Sequence, residues 1–230
     1  MRLRALAIAL ALAALCAAPA DALAHSLSPP SPLSGDGGTA FTFYGRAWQS
    51  SQVIQAQYYR RFNDSRPWRT KNFRTSTSGT GSFAFRLLDP FAFSSGMQQR
   101  MCFAQYDTRY GRVYRKCASF YIEPPRAYFM PPDGVAGTEF ILVAQGFQAG
   151  RTLLIQLTTP LGDVQNYTTR TRTRAKFIVT GFGPVFIPRG GAIREFQSNT
   201  TDPLGLYSAL VQQPDAPAHA RAVVAIGAGG

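Results

Sequence analysis

One stretch of this chain is written twice. Gly38-Thr39-Ala40-Phe41-Thr42-Phe43 through Trp48-Gln49 returns as Gly137-Thr138-Glu139-Phe140-Ile141-Leu142 through Phe147-Gln148, at an offset of 99. The offset holds onward, setting Ile54, Ala56, Gln57 and Tyr58 on Leu153, Ile155, Gln156 and Leu157, and backward, setting Pro32 on Pro131. Near the end Lys116-Cys117-Ala118-Ser119 matches Arg221-Ala222-Val223-Val224 at an offset of 105, so the second copy holds about six extra residues in its middle. A unit of about 100 residues repeated once fixes the organisation before any element is assigned.

Within each copy the apolar residues alternate with period two, the pattern of a half-buried strand. Phe41, Phe43, Ile54, Ala56 and Tyr58 are expected to face one core, and Phe140, Leu142, Leu153, Ile155 and Leu157 another. Turn signals punctuate the runs at Asp36-Gly37-Gly38, Asn63-Asp64, Ser78-Gly79, Asp89-Pro90, Pro160-Leu161-Gly162-Asp163, Gly190-Gly191 and Asp202-Pro203. No sustained helical period follows residue 24. The expectation is all-β, with two tandem antiparallel β-sandwiches.

The N-terminus has a different character. Arg2 and Arg4, an uncharged apolar run from Leu6 to Ala18, and Ala22-Leu23-Ala24 form the three regions of a secretory signal peptide, here 1–24. The run is shorter than the roughly 20 residues a membrane span needs. Leu15 is too bulky for a lipoprotein cleavage site before Cys16. The expected parts are a signal peptide (1–24), an extended lead-in (25–33), a first unit (34–123), a proline-stiffened linker (124–126), a second unit (127–226) and a frayed tail (227–230). Nothing in the mature chain reads as a membrane span, so a secreted, periplasmic or envelope-associated location is expected.

Cys102 and Cys117 remain after cleavage. They lie on runs separated by Thr108-Arg109-Tyr110-Gly111, and folding about the Arg109–Tyr110 midpoint sets them opposite each other. Alternation from a hydrogen-bonded 107/112 pair makes 102/117 a non-hydrogen-bonded pair, where side chains approach most closely. A disulfide staple is expected.

Both copies resemble bacterial immunoglobulin-like repeats of the IPT/TIG or fibronectin-III type. The resemblance rests on Pro131-Pro132-Asp133-Gly134, Gly137-Thr138, Gly146-Phe147-Gln148-Ala149-Gly150, Pro160-Leu161-Gly162 and Leu204-Gly205-Leu206-Tyr207. The first copy departs from it, with Ser51 in place of Gly150 and Asn63-Asp64-Ser65 in place of the proline–glycine hairpin. The resemblance implies an Ig-like sandwich and hardly any particular function.

Catalysis by titratable side chains finds little here. The chain has two histidines, and most aspartates sit beside Gly, Pro or Asn, where they serve turns. Only Glu123, Glu139 and Glu195 lack such a role. No hydrolase, zincin, phosphate-loop or EF-hand motif occurs. A non-enzyme without a cofactor is expected. One metal hypothesis stands beside it: cleavage after Ala24 would expose the imidazole and α-amine of His25, which together chelate copper, although the other histidine, His219, lies far away in the chain.

Charge offers the other hypothesis. The formal net charge is +12, and cations cluster in two places. Arg170, Arg172, Arg174 and Lys176 alternate with Thr and Ala, which on one strand would line them along one face at about 6–7 Å spacing. Arg60, Arg61, Arg66, Arg69, Lys71 and Arg74 surround Asp64 and interleave with Tyr59, Phe62, Trp68 and Phe73. Such stripes bind polyanions, though cationic edge strands also guard against aggregation. The expectation is an adhesion, structural or ligand-binding module. Its partner would be an envelope polymer, an acidic polysaccharide or another envelope protein; export makes nucleic acid an unexpected physiological partner.

Overall fold

A computed structural model describes residues 25–74, 80–108 and 110–228, with backbone alone for 70–74. Residues 1–24, residues 75–79 with the expected Ser78-Gly79 turn, Arg109 of the hairpin loop and the last two residues lie outside it. Every regular element among the described residues is a strand. The first unit contains β1 (Ser26–Leu27), β2 (Ser34–Gly35), β3 (Phe41–Arg46), β4 (Val53–Tyr59), β5 (Arg69–Arg74), β6 (Phe83–Leu87), β7 (Met97–Asp107) and β8 (Arg112–Ile122). The second contains β9 (Arg126–Met130), β10 (Asp133–Val135), β11 (Glu139–Gln145), β12 (Thr152–Thr158), β13 (Val164–Arg170), β14 (Lys176–Thr180), β15 (Gly183–Ile187), β16 (Ala192–Gln197), β17 (Gly205–Gln213) and β18 (Ala218–Gly227).

The repeat in sequence is a repeat in topology. A three-stranded sheet β1-β3-β6 faces a five-stranded sheet β2-β8-β7-β4-β5, and β9-β11-β16 faces β10-β18-β17-β12-β13 in the same order. These are two tandem Ig-like β-sandwiches. Tyr207 near the start of β17 donates its hydroxyl to the Pro203 carbonyl at 2.9 Å, the tyrosine-corner arrangement of that fold. The sheets are not wholly antiparallel, because β2 and β10 run parallel to β8 and β18. Residues 25–35 explain the exception. They pair with β3 through Leu27 and Ser31, then cross at the cis Ser31–Pro32 bond and run on along the edge of β8. The cis Met130–Pro131 bond marks the same crossing in the second unit.

Period-two alternation sorts the side chains. Phe41, Phe43, Ile54, Ala56 and Tyr58 are buried in the first core, and Phe140, Leu142, Leu153, Ile155 and Leu157 in the second. Full burial of an aromatic or branched apolar side chain contributes about 1.5–3 kcal/mol. Cys102 and Cys117 are paired across β7 and β8 and bonded, with Cα atoms 4.0 Å apart. Gly111 supplies the positive φ of 63° that the hairpin loop needs.

The second unit has a third layer. The β14–β15 hairpin packs Ile178, Val185 and Ile187 onto Ile141 and Val143 of β11, with Met130 and Ile193 at the sides. β11 is therefore buried on both faces. At the repeat offset, Ile141 and Val143 correspond to Thr42 and Tyr44 of β3, which no such hairpin covers among the described residues.

The units meet at a polar seam. Gly37 N–H donates to Gly146 O at 3.0 Å, and Ser94 N–H to Pro217 O at 3.1 Å. Arg189 reaches Gly38 O at 2.6 Å and the Asp89 carboxylate at 2.5 Å. Buried Gln148 donates to the carbonyls of Asp89 and Pro90, and Gln213 donates to Gln148. Ala92, from the first unit, packs in the second core. A Cβ on Gly38 would lie 1.9 Å from Arg189 O, which accounts for glycine there.

Candidate polyanion-binding face

Alternation along β4 turns Tyr58 into the core and Tyr59 onto the outer face of the five-stranded sheet. Tyr59 is nonetheless buried, because two arginines lie over it. The guanidinium carbon of Arg100, on β7, is 4.4 Å from the ring centre, and that of Arg115, on β8, is 5.6 Å away. Arg115 also donates to the Tyr59 hydroxyl. Arg100 stands 5.7 Å from the Phe62 ring and donates to Asp64 O at 2.9 Å.

Beyond the end of β4 a closed set of hydrogen bonds holds the 88–96 loop. Phe91 N–H donates to the Tyr58 hydroxyl at 2.7 Å, that hydroxyl donates to Gln99, and Gln99 donates to Phe91 O at 2.5 Å. Burial raises the Tyr58 pKa far above the ordinary phenol value, so the hydroxyl stays a donor. Phe91 and Phe93 are thereby fixed beside the 60–68 connection. Arg60 lies over Phe91 at 5.2 Å and Trp68 at 6.0 Å, Arg69 over Trp68 at 4.8 Å, and Arg61 over Phe93 at 5.4 Å.

Five guanidiniums thus rest on five rings at one end of the first sandwich. Each stack is worth about 0.5–2 kcal/mol, depending on how far water is excluded. The salt bridges among the described residues are Arg126–Glu123, Arg151–Asp215 and Arg189–Asp89, and none involves these five arginines. Asp64 spends a carboxylate oxygen on the Arg61 backbone N–H at 3.2 Å. The cations are held in place by rings and are left unneutralised by carboxylates.

Of the residues expected here, Arg60, Arg61, Trp68 and Arg69 come together, and Arg66 is exposed in the same connection. Lys71 and Arg74 lie on β5, at the positions paired with Ala56 and Val53. The Arg170–Lys176 stripe requires correction, because those residues do not share a strand face. β13 ends at Arg170 and β14 begins at Lys176. Between them Thr171 is buried, its hydroxyl donating to Gln148 O at 2.7 Å. The Arg172 backbone exchanges hydrogen bonds with Gly190 and Gly191. The chain therefore leaves the sheet at Thr171, and Arg170, Arg172, Arg174 and Lys176 are all exposed but spread over a strand end, a turn and the hairpin. Arg100 and Arg115 escaped the sequence reading. The signal was present, since each stands two residues before a disulfide cysteine and so shares its face.

His25 stacks on Tyr114 at 4.1 Å and meets Trp48 edge-on at 5.3 Å. Burial lowers its pKa, against an opposing pull from Asp107. His219 is exposed on β18 of the other unit. No group of three or more His, Cys, Asp or Glu that could hold a metal ion occurs among the described residues, and no helix there is long and apolar enough to cross a membrane.

No family model and no curated protein matches the chain. Among solved structures it is similar to a tetra-tandem repeat in the extending region of a large adhesion protein, at 12% identity and TM-score 0.30 over 84% of this chain and 47% of that one. It is also similar to an I-band fragment of titin, at 12% identity and TM-score 0.29 over 90% of this chain and 65% of that one. The chain spans less than two thirds of the length of either.

Proposed function

We propose that this chain is an exported, non-catalytic Ig-like module that binds an anionic envelope polymer through the arginine–aromatic face of its first unit. The carrying observation is the set of five guanidiniums stacked on rings with no carboxylate partner. A stacked guanidinium has surrendered much of its rotamer freedom before a ligand arrives, and its N–H edge stays available for bidentate contact with phosphate, sulfate or carboxylate. The secretory leader and the disulfide support work outside the cytoplasm, where thiol pairs stay oxidised.

The test is retention on heparin and on immobilised polyphosphate. The triple variant Arg60→Ala, Arg61→Ala, Arg69→Ala is expected to elute from both at clearly lower salt than the parent. A charge-matched control at exposed arginines elsewhere, Arg46→Ala, Arg86→Ala, Arg221→Ala, is expected to keep most of the retention. Equal loss in both triples would reduce the interaction to bulk charge and refute a localised face. Stronger retention on one matrix separates polysaccharide sulfate and carboxylate from phosphate.

A further inference from the structure

The hairpin that covers β11 is itself uncovered. Its inner positions, Ile178, Val185 and Ile187, pack on the sheet below, and alternation turns Phe177, Val179, Pro184 and Phe186 outward. The register pairs Phe177 with Phe186 and Val179 with Pro184, so the four make one apolar block. Phe177 is 65% exposed, Val179 83% and Phe186 50%, and the two phenyl rings touch at 5.1 Å. Scattered apolar residues on a surface are ordinary, but a contiguous block on a dedicated layer marks a contact surface.

The charges around the block are polarised along its length. Arg172, Arg174 and Lys176 are exposed at its base. At the turn end, Glu139 lies beside Gly181, with Oε2 3.0 Å from where a Cβ on that glycine would sit. Glu195, paired with Ile141 on the same outer face, is exposed near that end too. None of these five groups is in a salt bridge among the described residues. A face that is basic at one end, acidic at the other and apolar between is complementary to itself when turned end for end about a two-fold axis. A uniformly anionic lipid surface would match only one end. Pro184 lacks an N–H and blunts the β15 edge, which leaves the face as the contact.

We propose that the β14–β15 hairpin is a homodimerisation surface, on which two chains pack hairpin to hairpin in antiparallel fashion, each setting its Arg172 and Arg174 against the partner's Glu139 and Glu195. The block is far smaller than the roughly 20–30 residues a side of a standard interface, so the pair dissociates on dilution.

Sedimentation equilibrium of the full exported chain tests this. A concentration-dependent monomer–dimer equilibrium is expected, with the dissociation constant raised about tenfold or more by Val179→Ser or by Phe177→Ser, since each removes burial worth at least one decade of affinity. The orientation is tested by two charge reversals, Glu139→Lys and Arg174→Glu. Each alone is expected to weaken self-association, and an equimolar mixture is expected to associate more tightly than either, because only the mixed pair restores both contacts. Three results would overturn the proposal: a chain that stays monomeric up to its solubility limit, a dimer indifferent to Val179→Ser and Phe177→Ser, or a mixture no tighter than its components. Uptake of a monomeric chain by phosphatidylglycerol vesicles, lost on Val179→Ser, would likewise overturn it and assign the face to lipid.

Discussion

Tyr59 is a polar aromatic on a solvent-side position that ends up buried, and it shows why single residues here are read unequally well from sequence. Core positions such as Phe43 and Ile155 are legible because partition between water and interior decides them, and alternation records that partition. Gln99, Gln148 and Gln213 are also buried, yet nothing local marks them. Each relies on at least one partner far along the chain, Tyr58 for Gln99 and each other for Gln148 and Gln213, and a buried amide is tolerated only where such partners exist. His25 offers a test at this scale. Burial against Tyr114 and Trp48 holds its pKa below the ordinary 6.5. As pH falls through that ordinary value the unfolded chain takes up a proton more readily than the folded one, so stability contributed by neutral His25 is present above about pH 6.5 and drains away below it. Denaturation midpoints at about pH 7.5 and pH 5.5 are expected to differ, and the difference is expected to shrink in His25→Phe.

Strands were more legible than the breaks between them. The offset of 99 holds for β3/β11 and β4/β12, and the 105 offset for β8/β18, because each pair occupies the same place in its sandwich. The residues gained by the second copy are the hairpin, partly offset by shorter connections elsewhere. Its presence was written three strands earlier, in Phe140-Ile141-Leu142-Val143-Ala144, an apolar run without alternation that belongs to a strand buried on both faces. Attention to Phe140 and Leu142 alone missed it. The Arg170–Lys176 run misled in the opposite way, since its alternation came from threonines, one of which plugs a turn. The disulfide hairpin was legible in full because its register follows from loop length. Its removal in Cys102→Ala, Cys117→Ala frees a sequence separation of 15 residues and is expected to cost about 3 kcal/mol of stability, visible as a lower urea midpoint.

For the molecule as a whole, the decisive feature is the seam, which no local pattern announced beyond a short proline-rich linker. Arg189, Asp89, Gln148 and Gln213 join the units through side chains from four different loops or strand ends, so their convergence is a property of the folded pair. Replacing Arg189 by Ala removes both its bond to Gly38 O and its ion pair with Asp89, leaving Ala92, Gln148 and the Gly37–Gly146 and Ser94–Pro217 backbone bonds to hold the junction. Small-angle scattering is expected to report a larger and more variable radius of gyration for Arg189→Ala, with the strand content by circular dichroism unchanged. An unaltered scattering profile would show that the Arg189 contacts do not set the angle.

A fixed junction also governs how many anchor points reach a long polymer at once. Two chains joined hairpin to hairpin would present two arginine faces at one set spacing, each carried on an arm that does not swivel. A polymer long enough to span them would meet the second face at high effective concentration once the first had engaged, multiplying weak contacts into firm attachment without any additional residue. A shorter oligomer of the same chemistry would gain nothing. The seam would thus make the protein a gauge of polymer length as well as of charge.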